Sequence, residues 1–381
     1  MAIEIEIEIE EKKKEPITFA SLIEGRNNNF DFLRFFFAVM VIYHHSWDLL
    51  KIPRTFFGQP SDHPDWIFRL SNGSIESGWI AVNCFFMISG FLITASWMYS
   101  ANLLDFIKKR ALRIYPAWIA TLLFCIFIIG PLSGVLMNEY FRNRETYYVF
   151  KTLFLRSYYD QLPGVFLTNP FPISVNGSLW TLPFEIKCYF MVAVLGMLKA
   201  LKRKWVILSL FSLVYGYYVF ASIRHLNIAH IGEPDRMPRL LAYFLAGTAL
   251  FLFRYELPHD RKLFLISIVV IAATCPFRVA EYFMPIFGTY AVFYIAFSPL
   301  LKLQKFAKFG DFSYGMYIYS FPIQQLLIHK FRDGTGINPY ALFLLTTAIT
   351  LIISFLSWHL IEKPFLALKK RTKPVPQTLS A

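Results

Sequence analysis

The chain has 381 residues, 56% of them hydrophobic and 17% charged, with a formal net charge of +13. A soluble domain carries roughly 25% charged residues, and apolar runs of spanning length recur here, so composition excludes an ordinary soluble enzyme and points to an all-α, polytopic membrane helix bundle. The positive charge sits in short clusters between the apolar runs, the layout of membrane topology and not of a nucleic-acid surface.

Met1–Glu15 alternates isoleucine and glutamate and ends in the Lys12–Lys14 cluster. It lacks the basic start and apolar centre of a signal peptide, and its glutamate face has no partner strand. Residues 1–27 therefore read as a disordered tail. Asn27–Asn29 supply capping chemistry for a first helix. Ten spans follow, over about 30–47, 78–98, 114–132, 178–198, 205–222, 238–253, 263–277, 280–300, 311–330 and 339–361. The longest connection, 133–177, is aromatic and basic, as expected of a segment lying along the membrane surface or over a site. Residues 28–368 make up the membrane domain, and 369–381 a second tail. Outside the spans, 23 lysines and arginines fall on the N-terminal side and 13 on the other, with Arg34 and Lys187 inside spans. Both termini are accordingly expected in the cytoplasm.

The first span reads FDFLRFFFAVMVIYHHSW over 30–47. Arg34 and His45 are eleven positions apart, almost three turns, so they share one face about 16 Å apart along the axis. Asp31 precedes Arg34 by three residues and can pair with it on that face, whereas His44 lies a quarter turn away. Ionisable groups at membrane depth face a protein interior or a watery cavity. With the N-terminus inside, Arg34 lies near the cytoplasmic face and His45 near the outer one. Two readings compete: a neutral imidazole placed to take a proton from an alcohol, or an interfacial histidine with an arginine that snorkels to the headgroups.

Further along, Ser89–Gly90 reads as close helix packing, since small residues let backbones approach, and no nucleophile elbow accompanies Ser89. Lys108, Lys109, Arg110 and Arg113 precede the third span, and residues three apart share a helix face. Thr181, Glu185 and Tyr189 recur at spacing four, which makes a polar stripe just after Trp180. Lys187 is a mid-span charge two positions from Glu185 and so does not face it. Ser313, Tyr314 and Tyr317 are placed to line a cavity. Cys84, Cys125, Cys188 and Cys275 show no metal or disulfide spacing and read as packing residues. No HExxH or Cys-rich pattern calls for a metal.

Six segments in order carry a family resemblance: FDFLRFFFAVMVIYHHS (30–46), AVNCFFMISGFLIT (81–94), FIKKRALRIYP (106–116), NGSLWTLPFEIKCYF (176–190), FGDFSYGMYIYSFP (309–322) and HLIEKPF (359–365). Together they resemble the acyltransferase 3 family of integral membrane O-acyltransferases, which modify surface polysaccharides and related glycans. The likeness runs from about Asn28 to Leu368. It implies that His45 is essential for acyl transfer and that Arg34, Arg110 and Arg113 hold acyl-CoA, with acetyl-CoA as donor and no resident cofactor. Trp180 and Glu185 match residues that recur in the family. Its frequent second glutamate is Ile186 here, and a histidine it often carries is Ser320.

These readings give an enzyme in the bacterial inner membrane. CoA phosphates would dock near Arg34, Arg110 and Arg113, and the pantetheine arm would reach outward. His45 would act as base, its imidazole oriented by Glu185 at a similar depth. Direct transfer and a covalent acyl-imidazole are both open. The acceptor is a hydroxyl of a cell-surface polysaccharide or lipid-linked glycan. The rival class is a transporter that moves such a group without chemistry, since polar groups inside a bundle serve both.

Overall fold

The computed structural model describes residues 17–24, 28–51, 65–154, 159–224, 236–331 and 336–369. The elements in order are α1 (Phe19–Glu24), α2 (Phe30–Asp48), α3 (Trp66–Leu70), α4 (Ser77–Met98), α5 (Leu103–Leu132) and α6 (Met137–Arg142). After a 3-10 stretch at Arg144–Phe154 come α7 (Gly177–Met197), α8 (Lys204–Ile223), α9 (Arg236–Leu252) and α10 (Arg261–Thr274). The chain then continues through α11 (Ala280–Phe297), α12 (Ser313–Lys330) and α13 (Pro339–Ala367). Among the described residues there is no strand. Helices α4, α5, α7, α8, α11 and α13 are long and apolar enough to cross a membrane. The other expected spans, α2, α9, α10 and α12, are helical but shorter or more polar.

Two boundaries differ from expectation for identifiable reasons. Helix α5 starts at Leu103, not near 114, because Asn102 Oδ1 accepts from the Asp105 amide at 2.9 Å and Asp105 pairs with Lys109 one turn on at 2.6 Å. The basic cluster Lys108–Arg113 therefore rides on the helix. Helix α13 runs past 361 to Ala367 through a π-turn at Trp358–Glu362, and Glu362 ends only 2% exposed. The disordered tail expected over 1–27 is corrected for 17–24. Phe19 is fully buried among His259, Tyr290 and Phe297, and Thr18 bridges to Pro258, because FASLI has an apolar face to bury. The rest of that tail, 1–16 and 25–27, lies outside the described residues, as does 370–381 of the second.

Helices α2 and α4 run antiparallel and set the depth scale of the site. His44 meets Gly78, Phe37 packs on Phe85 with ring centroids 6.2 Å apart, and Phe30 on Phe91 at 5.6 Å. Behind them α4 crosses α9 at two glycines. A Cβ on Gly90 would lie 1.9 Å from the Phe244 carbonyl oxygen, and one on Gly247 1.9 Å from that of Met87. Thr94 and Thr248 hydrogen-bond beside the crossing at 3.1 Å.

Helix α12 is the buried strut of the bundle. Its Gln324 amide donates to the Ile42 carbonyl at 2.9 Å and to Ser46 Oγ at 2.8 Å, fixing it to α2. The last part of the long connection, 169–176, packs on it: Asn169 donates to the Gln325 carbonyl, and Gln325 donates to the carbonyls of Phe171 and Ser174. Pro322 has no amide hydrogen to give the Ile318 carbonyl. Asn176 Nδ2 donates to that carbonyl instead, at 2.9 Å.

Candidate active site

A cavity of about 130 Å³ opens between α2, α4, α5, α7 and α12. Arg34, Ser89, Arg110, Arg113, Glu185, Tyr189, Ser313 and Tyr314, drawn from five segments far apart in sequence, all line it. Thr181 and Tyr317 line it too, and the remaining wall is apolar, including Val82, Phe85, Phe86, Ile88, Leu92 and Ile93.

Its polar wall is built round Asp311, which sequence reasoning did not weigh. Arg34 Nη2 donates to Asp311 Oδ2 at 2.9 Å, and Arg113 Nη2 donates to the same oxygen at 2.5 Å. The other oxygen, Oδ1, accepts from Ser313 Oγ at 2.5 Å and from the Ser313 amide at 3.3 Å. Arg34 also faces Asp31 at 3.6 Å, the pairing expected from their spacing, and Arg113 faces Glu362 at 3.6 Å. Tyr314 lies under the Arg113 guanidinium, 5.8 Å from ring centroid to Cζ, and donates to the Ile114 carbonyl. Arg110 faces Glu185 and Tyr189 across the cavity, and among the described residues it forms no ion pair.

Glu185 accepts hydrogen bonds from Tyr189, one turn on, and from Ser89 Oγ at 3.4 Å. Ser89 thus gives the cavity a hydrogen bond while its neighbour Gly90 does the packing. The expected contact between Glu185 and His45 is corrected by depth. On the α2–α4 scale Ser89 lies level with Arg34, so Glu185 is about 16 Å from the level of His45. His45 is three residues from the end of α2, whereas Glu185 is two turns inside α7, and counting both simply as the outer half of a span hid that difference. Trp180 meets Phe184 edge-on with centroids 5.8 Å apart, and Lys187 lies over the Phe184 ring at 5.1 Å, exposed. Neither reaches the cavity wall.

His45 is also off that wall. The end of the cavity nearer His45 stops at Val82, Phe85 and Tyr317, whose hydroxyl bonds Thr181 Oγ1 at 2.8 Å. One turn beyond Tyr317, Phe321 places its ring edge-on to His45, with centroids 5.2 Å apart. His45 therefore lies on the far side of an aromatic partition, about 7 Å beyond Val82 along the bundle.

On that far side His44 is enclosed by groups the sequence did not single out. Its Nδ1 is 3.8 Å from Asp65 and its Nε2 3.9 Å from Glu76, and its ring fills the space a side chain on Gly78 would need. Asp65 accepts from both the amide and the hydroxyl of Ser77 at 2.6 Å. Burial pushes its carboxyl up, but the His44 side chain and these hydrogen bonds bring it down to about 2. His44, His45 and Asp48 also bring potential ligand atoms within 4.8 Å of one another. Cys84, Cys125 and Cys188 are buried and all four cysteines are free thiols.

The acyltransferase domain family matches residues 27–359 of the chain. An O-acetyl transferase of Shigella phage Sf6 is 31% identical over 351 residues, covering 90% of this chain and 96% of that protein. Nodulation protein 10 of Rhizobium leguminosarum bv. viciae is 27% identical over 388 residues, covering 93% of this chain and 97% of its own length. The O-acetyltransferase OatA of Staphylococcus aureus is 22% identical over 332 residues, and the match spans 54% of that longer protein. No solved structure matches the chain. With its apolar spanning helices and a family match over most of its length, the chain is a multi-pass membrane protein that belongs to the acyltransferase 3 domain family.

Proposed function

We propose that the protein transfers an acetyl group from cytoplasmic acetyl-CoA to a hydroxyl of a cell-surface polysaccharide or lipid-linked glycan, in the bacterial inner membrane. The observation that carries this reading is the convergence of Arg34, Arg110 and Arg113 on one cavity whose apolar end points along the bundle towards His45. Cations suit the phosphates of CoA, and the apolar walls suit the pantetheine arm and a small acyl group. Both termini then lie in the cytoplasm, as the distribution of lysine and arginine favours.

In this mechanism the neutral imidazole of His45 removes the proton of the acceptor hydroxyl. The oxygen attacks the thioester carbonyl, a carbon–oxygen bond forms, and the carbon–sulfur bond breaks. The imidazolium returns its proton to the departing sulfur, which leaves as the free thiol of CoA. Glu185, held by Ser89 and Tyr189, acts inside the donor cavity, where it is placed to accept from the amides of the pantetheine arm. For the thioester to reach His45, the Tyr317 and Phe321 side chains must turn aside.

The test is CoA release from acetyl-CoA by purified protein in nanodiscs with a glycan acceptor. His45→Gln should lower the rate by about 10²–10⁴-fold, the range general-base removal gives, while leaving CoA binding intact. A transporter would release no CoA that depends on His45, and that result would sink the reading. The names of the relatives also speak for a transferase.

A further inference from the structure

The three arginines of the cavity are not equivalent. Arg34 and Arg113 share a single oxygen of Asp311, at 2.9 and 2.5 Å, and the second oxygen is fixed by Ser313. Their outward nitrogens face two further carboxylates, Asp31 and the buried Glu362. Two guanidiniums are therefore met by three acidic side chains, so this half of the wall offers an incoming anion no net attraction. Arg110, one turn from Arg113 on α5, forms no ion pair among the described residues, and its Nε is buried without a hydrogen-bond partner there. Glu185 faces it only across the cavity, so a largely enclosed guanidinium with no carboxylate in ion-pair contact attracts an anionic ligand, because the low local dielectric magnifies the attraction.

We propose that Asp311 is a positioning residue that locks Arg34 and Arg113 into the frame of the cavity, leaving Arg110 as the side chain that takes the phosphates of the donor. This rests on the reading of the cavity as the acyl-CoA site. It divides the labour among the arginines: Arg110 supplies donor affinity, and the Arg34–Asp311–Arg113 clamp supplies a fixed wall. It also predicts an inversion that a merely structural aspartate would not produce. Taking away the Asp311 charge leaves two guanidiniums facing two carboxylates instead of three and unlocks both side chains, so CoA binds more tightly but in the wrong place.

The experiment measures binding of CoA and of pantetheine, which lacks phosphate, to the full chain in nanodiscs, together with KM and kcat for acetyl-CoA. Arg110→Gln should weaken CoA binding and raise KM at least tenfold while leaving pantetheine binding unchanged. Asp311→Asn should bind CoA several-fold more tightly yet lower kcat at least tenfold, and adding Arg113→Gln should return CoA affinity to the wild-type value. The inference is overturned if Arg110→Gln binds CoA as the wild type does, or if monodisperse Asp311→Asn protein binds CoA no more tightly. Should Asp311→Asn fail to fold, the comparison of CoA with pantetheine in Arg110→Gln decides the matter alone. Wild-type protein that binds no CoA at all would instead overturn the reading of the cavity itself.

Discussion

Replacing Gly90 or Gly247 by alanine tests the crossing of α4 and α9 that backs the cavity wall. Each new methyl would start 1.9 Å from a backbone oxygen of the facing helix. A carbon needs about 3.3 Å from such an oxygen, so the helices must part by roughly 1.4 Å. A gap of that size forfeits more than about half of the dispersion energy along the seam, and overpacking of this kind costs ~1–3 kcal/mol. It also breaks the Thr94–Thr248 hydrogen bond of 3.1 Å, whose interhelical type contributes about 0.6 kcal/mol. Each single variant should therefore lose about 2–4 kcal/mol. The double variant should lose less than twice that, because one separation relieves both clashes. Gly216→Ala on α8 is the control: no atom lies within 4 Å of its Cβ position, and alanine is the better helix former, so it should be neutral or slightly stabilising. Thermal unfolding in detergent, read by tryptophan fluorescence, measures all four. If Gly90→Ala and Gly247→Ala melt with the wild type, the close crossing of α4 and α9 is wrong.

Two further outcomes concern charges at the ends of the bundle. For Asp65 the fall from the ordinary 3.8 to about 2 corresponds to about 2 kcal/mol of stability. That contribution is fully present above 3.8 and is lost as pH falls through about 2, so Asp65→Asn should cost about this amount at neutral pH in chemical denaturation and much less near pH 2. At the end that carries the arginines, burial and then the neighbouring Arg110, Arg113 and Lys109 lower the Lys369 ammonium from 10.5 to about 7. The unfolded lysine keeps its proton up to 10.5, so without ligand the protein gains stability as pH rises through that window. A polyanion draws the proton back. CoA binding should thus tighten as pH falls from about 8.5 towards 7, and isothermal titration should show that trend flattened in Lys369→Gln.

Much of the architecture can be read from local chemistry. Apolar runs gave the helices, and spacing alone aligned Arg34 with Asp31 and put Thr181, Glu185 and Tyr189 on one face that does line the cavity with Arg110 and Arg113. What local reasoning missed depends on distant parts of the chain. Asp311 and Glu362 stand inside segments that the resemblance had marked, yet their role comes from partners 277 and 249 positions away, Arg34 and Arg113. A carboxylate at the threshold of an apolar span, followed by a serine, was the available signal for Asp311. Pairing Glu185 with His45 fails because span ends fix depth only to within a few residues. The Asn169, Ser174 and Asn176 contacts of the long connection with α12 had no periodic signature at all.

The partition formed by Tyr317, Thr181 and Phe321 has a consequence for the cell as a whole. In an energised membrane a proton crossing 100 mV releases about 2.3 kcal/mol, so any wet bore from one face to the other would drain the gradient. In the proposed orientation, arginines towards one face and histidines towards the other would make such a bore conductive. The hydroxyl pair at 2.8 Å and the ring beside it interrupt it, so the bundle can host chemistry at both surfaces and still insulate.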